Sequence, residues 1–158
     1  MEFAHRTVLI TGAAGNLGRA VAAAFTARGA NLVLIDLKRE SLERTFGAEA
    51  ERRPLEPADL LDPQQVDAVV ARAIKRFARI DVLCNLAGGF RMGPAVHETS
   101  DADWNHLFNL NVRTLLEMAR SVIPRMLAAG GGKIVDVGAS SALRARRRWP
   151  LTRPRRAW

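Results

Sequence analysis

A chain of 158 residues has the length of one domain and is long enough to bury a core. It is 48% apolar, no apolar run reaches the ~18 residues of a membrane helix, and a single cysteine, Cys84, excludes an internal disulfide. The net charge of +8 resides almost wholly in residues 144–158, which hold seven arginines and no acid, whereas residues 1–143 carry 17 basic and 16 acidic side chains; the body of the chain therefore has no electrostatic footprint for nucleic acid.

In chain order, residues 1–6 lack the basic and apolar regions of a signal peptide, which with the lone cysteine makes the cytoplasm the expected location. Thr7-Val8-Leu9-Ile10 is a continuous apolar run, the mark of a strand buried on both faces. Residues 11–18 form a glycine-rich turn. Residues 17–28 are alanine-rich, with Val21 and Phe25 four apart, and predict a helix that Gly29 terminates. A second buried strand covers 31–37, completing a strand–helix–strand unit. A short polar helix follows over 38–46. A weak third strand follows over 53–58, where Pro54 and Pro57 each remove a backbone donor. Asp62 and Pro63 cap and open a helix to residue 78. Residues 80–84 are a fourth strand and 86–99 a glycine-containing loop. Ser100 and Asp103 resemble a capping box at the head of a long helix to about residue 129, with Pro124 marking a kink. Three glycines end it, and 133–137 is a fifth strand. Strands alternating with helices imply an α/β fold with a parallel, doubly wound, Rossmann-like sheet, incomplete at its C-terminal end.

Thr11-Gly12-Ala13-Ala14-Gly15-Asn16-Leu17-Gly18 lies between a strand and a helix. Glycines in that position permit positive φ and close approach of backbone to a pyrophosphate, and the helix behind offers free N–H groups and the positive end of its dipole. Gly18 lets the helix pack closely on the strand. A tight turn without a ligand is the alternative. Asp36 ends the second strand, 24 residues after Gly12, where a carboxylate accepts from both ribose hydroxyls of an adenosine and repels a 2′-phosphate. NAD is therefore expected over NADP, a preference that the adjacent Lys38 and Arg39 soften. A surface Asp at a strand end is the alternative. Cys84 has apolar neighbours and reads as a core thiol; His97 and His106 have no partner at ligand spacing, so no metal site is expected.

With these residues in this order, positions 6–143 resemble the short-chain dehydrogenase/reductase family. Thr11-Gly12 with Gly18 is similar to its cofactor loop, although the usual middle glycine falls at Asn16 and Gly15 precedes it. Asp59-Leu60 resembles the family's Asp at the adenine pocket. Asn85-Leu86-Ala87-Gly88 resembles its Asn-Asn-Ala-Gly stretch, with Leu86 replacing the second Asn. Asn111-Val112 is similar to the Asn-Val of the long helix, whose Asn belongs to the catalytic tetrad. Ile134-Val135-Asp136-Val137 followed by Ser140-Ser141 resembles the strand that delivers the catalytic Ser; Ser140 is the first choice and Ser141 the second. Taken singly, Asn111 could bond its own helix, Asp59 cap a helix and Asn85 satisfy a strand end.

The resemblance implies an NAD(P)-dependent oxidoreductase that moves a hydride between nicotinamide and a small carbonyl or alcohol substrate, with full-length relatives that are homo-oligomers, no membrane association and no nucleic-acid partner. It also implies a Tyr-x-x-x-Lys pair to handle the substrate oxygen's proton, with the Ser polarising the carbonyl. The chain contains no tyrosine, and Lys133 is its last lysine. The arrangement expected is thus a partial NAD(P)-binding domain over 1–143 and an irregular Arg-rich tail over 144–158. The tail reads as a basic arm, as solvated charge, or as a shifted reading frame. Coded CTT ACG CGG CCT CGA AGG GCG TGG, residues 151–158 yield Tyr-Ala-Ala-Ser-Lys-Gly-Val when read from the last base of the Leu151 codon, about twelve residues after Ser140. A frameshifted, inactive fragment is the favoured expectation. The alternative function is a non-catalytic dinucleotide-binding or interaction module whose basic tail meets an acidic partner.

Overall fold

The computed structural model describes residues 2–139; Ser140, Ser141 and the Arg-rich tail lie outside the described residues. Five strands, β1 (Thr7–Thr11), β2 (Asn31–Asp36), β3 (Leu55–Pro57), β4 (Val82–Asn85) and β5 (Lys133–Asp136), form one sheet in the order β3-β2-β1-β4-β5. Every pairing is parallel, with Thr7 opposite Asn31, Val8 opposite Val82, Leu34 opposite Leu55 and Val82 opposite Lys133. The helices are α1 (Asn16–Ala27), α2 (Arg39–Phe46), α3 (Pro63–Phe77), α4 (Asp101–Phe108) and α5 (Thr114–Ala128), and a π-helical turn (Asn109–Arg113) joins the last two. This is the doubly wound, Rossmann-like arrangement expected from the alternation of strands and helices. Among the described residues no helix is long and apolar enough to cross a membrane.

The period of two along each strand divides the core between the two faces. Leu9, Val33, Ile35 and Leu83 pack on one side with Val66, Val69, Val70 and Ala73 of α3 and with Met118, Val122 and Met126 of α5. Val8, Ile10, Leu32, Leu34, Val82 and Cys84 pack on the other side with Ala22 of α1 and Leu42 of α2. All five residues of β1 are buried, which is why that strand reads as an unbroken apolar run.

Local chemistry sets the ends of the elements. Gly29, at φ 84°, closes α1: its N–H bonds Thr26 O and the next N–H, of Ala30, bonds Phe25 O, a Schellman pattern. Asp62 caps α3 by accepting from the Gln64 and Gln65 N–H groups. Those bonds, with one from the Gln65 side chain first among them, hold its carboxyl below its ordinary range. Ser100 caps α4 through the Asp103 N–H, while the Asp103 carboxylate accepts from the Ser100 hydroxyl. β3 survives its prolines as an edge strand, where Pro54 needs only its carbonyl, accepting from Leu34 N–H at 3.2 Å. The departure from α-helical bonding in the long helix falls at 109–113, and α5 continues through Pro124, the residue expected to mark a kink.

Candidate dinucleotide site

The chain leaves β1 for β2 on one side of the sheet and later occupies the other side with β4, so the loops at the carboxyl ends of β1 and β4 diverge and leave a crevice between them. Thr11 ties the two strand ends together. Its hydroxyl accepts from the Leu86 and Ala87 N–H groups at 3.0 and 3.1 Å and donates to Cys84 O at 3.5 Å. Gly12 follows at φ 62°, and a Cβ there would stand 2.9 Å from both Ala87 Cα and Ala87 N. Only a glycine both adopts that conformation and lets the two loops meet. Gly18 packs α1 onto the turn: a Cβ would lie 2.6 Å from Ala13 O. Gly15 occupies the N-cap of α1 in extended backbone at φ −70°, so its role is space, not handedness. Neither a capping side chain nor an acid in the first turn covers the N-terminus of α1. Its positive end is electrostatically suited to an anion.

Asp36 is held against this turn. One carboxylate oxygen accepts from Ala14 N–H at 3.0 Å and the other from Leu37 N–H at 2.8 Å. A cleft of about 700 Å³ runs from Gly12, Ala14 and Gly15 past Asp36 to Asp59 and Leu60, with Ala87 and Gly88 on the opposite wall. Asp59 closes the turn ahead of α3 by accepting from Leu61 N–H at 2.9 Å, and Leu60 is buried beneath the cleft. Asn16 and Leu17 stand apart from it: Asn16 accepts from Arg19 and Leu17 is exposed. Arg44 lines the cleft where Lys38 and Arg39 were expected to act, and Arg39 is instead paired with Glu43 at 3.2 Å. On α2 the residues 41, 44 and 45 share a stripe beside the buried Leu42. A helical-wheel reading of that short helix carries the signal for Arg44. His106, assigned no role from the sequence, also lines the cleft.

A second cleft, of about 590 Å³, adjoins the first and shares Leu86, Ala87, Gly88 and Thr114 with it. Thr11, Asn85, Asn111, Phe90, Trp104 and Ala139 contribute to its walls. Asn111 sits in the π-helical turn. Its amide donates to Leu107 O at 2.9 Å, as the helix-bound alternative allowed, and its Oδ1 reaches across to accept from Gly89 N–H at 3.0 Å. A Cβ on Gly88 would stand 2.8 Å from that oxygen. Asn85 is buried and donates to Asp136 at 2.8 Å, joining the ends of β4 and β5; its Oδ1 has no hydrogen-bond partner among the described residues. Cys84 lies behind this wall, where burial pushes its thiol up to about 11, as suits a core residue.

The residues fit a dinucleotide: a glycine turn that a Cβ would block, an uncovered helix N-terminus beside it, a carboxylate at one end and an amide-lined cleft at the other. Residues 6–151 match the family described as short chain dehydrogenase. The chain is 36% identical over 140 residues to 2,3-dihydro-2,3-dihydroxybenzoate dehydrogenase of Bacillus subtilis, covering 87% of this chain and 53% of that protein. It is 34% identical over 140 residues to D-threitol dehydrogenase of Mycolicibacterium smegmatis, covering 87% and 54%. A crystal structure described as a short-chain dehydrogenase/reductase, glucose/ribitol dehydrogenase, from Brucella melitensis superimposes with a TM-score of 0.85 at 33% identity, covering 96% of this chain and 64% of that one. The chain thus spans about half the length of the curated relatives it matches.

Proposed function

The chain belongs to the short-chain dehydrogenase/reductase family, and from that premise we propose that it is the dinucleotide-binding portion of an NAD(P)-dependent oxidoreductase acting on a small alcohol or carbonyl compound. The observation that carries the reading is the continuous crevice from Gly12 to Asp36 and Asp59, glycine-floored and set against the uncovered end of α1. In it, Asp36 accepts from the adenosine ribose hydroxyls, and Asp59 and Leu60 bound the adenine end. Gly12 and Gly15 admit the phosphates, and Asn85, Ala87 and Gly88 flank the nicotinamide half. The Asp36 charge favours NAD. Nicotinamide, when bound, supplies the hydride acceptor or donor. In the adjoining cleft Asn111 fixes the 88–89 backbone, and the family resemblance gives Ser140 the part of polarising the substrate oxygen.

The chain has no phenol to exchange the proton on that oxygen, and its arginines stay charged at neutral pH. We therefore read the 158-residue chain as able to bind cofactor and unable to turn over. A second reading, a non-catalytic dinucleotide-binding module, draws on the same absence of tyrosine. The two separate in one assay: cofactor oxidation and reduction with a panel of carbonyls and alcohols, on this chain and on a version carrying Tyr-x-x-x-Lys over positions 152–156 and the family's following segment. Turnover by the second version alone supports the oxidoreductase. Turnover by the 158-residue chain overturns the inactive reading, and none by either favours the binding module.

A further inference from the structure

The 590 Å³ cleft beside the nucleotide crevice has aromatic walls and few hydrogen bonds to offer. Phe90, Trp104, Leu107, Phe108 and Val137 line it, and the three aromatic residues are exposed. Among the described residues neither Asp, Glu, Lys nor His does so. The polar side chains along it are engaged within the protein. Thr11 serves Leu86, Ala87 and Cys84; Thr114 donates to Leu110 O at 2.9 Å. Asn111 has Leu107 O on its amide and Gly89 N–H on its Oδ1; the Asn85 amide is on Asp136, and its Oδ1 is buried. Arg91, the one charged residue along the cleft among the described residues, has Nη1 on the Asp103 carboxylate at 2.9 Å.

A substrate with a hydroxyl on every carbon needs a partner for each one it buries, and hydroxyls left without partners oppose binding. A ring with apolar faces meets no such penalty and covers aromatic surface that otherwise faces water. Phe90 is held in place for such a ring. It follows two glycines at which a Cβ would crowd a neighbour: 2.8 Å from Asn111 Oδ1 at Gly88, and 2.7 Å from Leu110 Cδ2 at Gly89. The Gly89 N–H donates to Asn111 Oδ1 at 3.0 Å. These contacts fix the loop where the two clefts meet, since Ala87 and Gly88 line both. The Phe90 ring is thus carried next to the wall shared with the nucleotide crevice, on a backbone that has little left to order when a ligand arrives.

We propose that Phe90 is a specificity-determining residue of this chain, and that the cleft takes a cyclic, predominantly apolar alcohol or carbonyl compound, its ring against Phe90, in preference to an acyclic polyol. The proposal rests on the reading of the chain as part of an NAD(P)-dependent oxidoreductase, and it names the substrate class of that same site.

Binding without turnover tests it. The 158-residue chain is titrated first with NAD and then, saturated with NAD, with 1-tetralone, a bicyclic ketone, and with xylitol, an acyclic polyol, the second step followed by ligand-observed magnetic resonance. The expected result is tetralone bound at least about tenfold more tightly than xylitol. Phe90→Ala weakens tetralone by about fivefold or more and NAD by less than about twofold, while Phe90→Leu keeps part of the tetralone affinity. The NAD titration of each variant reports its folding independently of the ring ligand. Xylitol bound as tightly as tetralone, neither probe bound by a chain that binds NAD, or a Phe90→Ala variant that leaves tetralone unchanged or weakens NAD equally, overturns the proposal and leaves the cofactor reading standing. A chain that does not bind NAD overturns the cofactor reading, and the proposal with it.

Discussion

At the scale of single residues, two buried polar groups hold opposite ends of the sheet. Thr11, 1% exposed, satisfies two N–H groups at the carboxyl ends of the strands. Thr11→Val keeps the shape and leaves both donors unpaired, so urea denaturation should show a loss of about 1–3 kcal/mol, while Thr11→Ser loses less. At the amino ends Asp81 is buried. Burial alone would raise its carboxyl, but the Thr7 N–H and the Arg6 and Arg79 guanidinium groups outweigh that and hold it below its ordinary value. A carboxyl lowered on folding stabilises the fold above its unfolded pKa of about 3.9, and that contribution is lost as pH falls through the lower folded value. Stability should therefore drop on acidification below about pH 4. Asp81→Asn should be less stable at neutral pH and show a flatter acid limb in denaturation midpoints recorded from pH 7 to 3. An unaltered pH profile in the variant would remove Asp81 from the account.

At the scale of elements, the glycine turn works because α1 sits hard against β1. Gly18→Ala forces a methyl group against Gly12 O and Ala13. Moving the helix outward should cost about 1–3 kcal/mol and weaken nucleotide binding in the same variant, read by thermal denaturation and titration together. Gly47→Ala is the informative contrast: its φ is 72°, yet nothing lies within 4 Å of the added atom, so only backbone strain is felt. That variant should lose stability modestly and keep its nucleotide affinity. The Ser100 cap, the Asp62–Pro63 start of α3 and the Gly29 stop of α1 are local bonds between residues close in sequence, and each was legible there. The π-helical turn was not. Its extra residue inserts between two stretches of ordinary helical pattern, and what it accomplishes, presenting Asn111 to Gly89, depends on a loop 22 positions away.

At the scale of the whole molecule, β5 is an outer strand of the sheet among the described residues, and all four of its residues are exposed. Ile134, Val135 and Val137 are 39%, 47% and 55% exposed, so an apolar strand with an unpaired edge faces outward among the described residues. Such an edge templates association. The chain should therefore self-associate as concentration rises, visible in light scattering. Val135→Lys should suppress that association while leaving the far-ultraviolet circular dichroism unchanged. Equal scattering from both would locate the sticky surface elsewhere, with exposed Trp104 and Phe108 of α4 the next candidates.

The sequence by itself determined the alternation of strands and helices, the parallel sheet it requires, the helix caps and the glycine turn, because each depends on periodicity or on bonds a few residues long. It also marked Asp36, Asp59, Asn85 and Asn111 through their order. Tertiary structure alone decided what those residues touch. Asp36 bonds Ala14, Asn85 bonds Asp136, and Thr11 grips a backbone 75 positions onward, contacts that exist only once parallel strands bring distant segments side by side. It also placed Arg44, and not its neighbours Lys38 and Arg39, in the cleft, since which side of a short helix meets a ligand is set by how Leu42 seats that helix on the sheet.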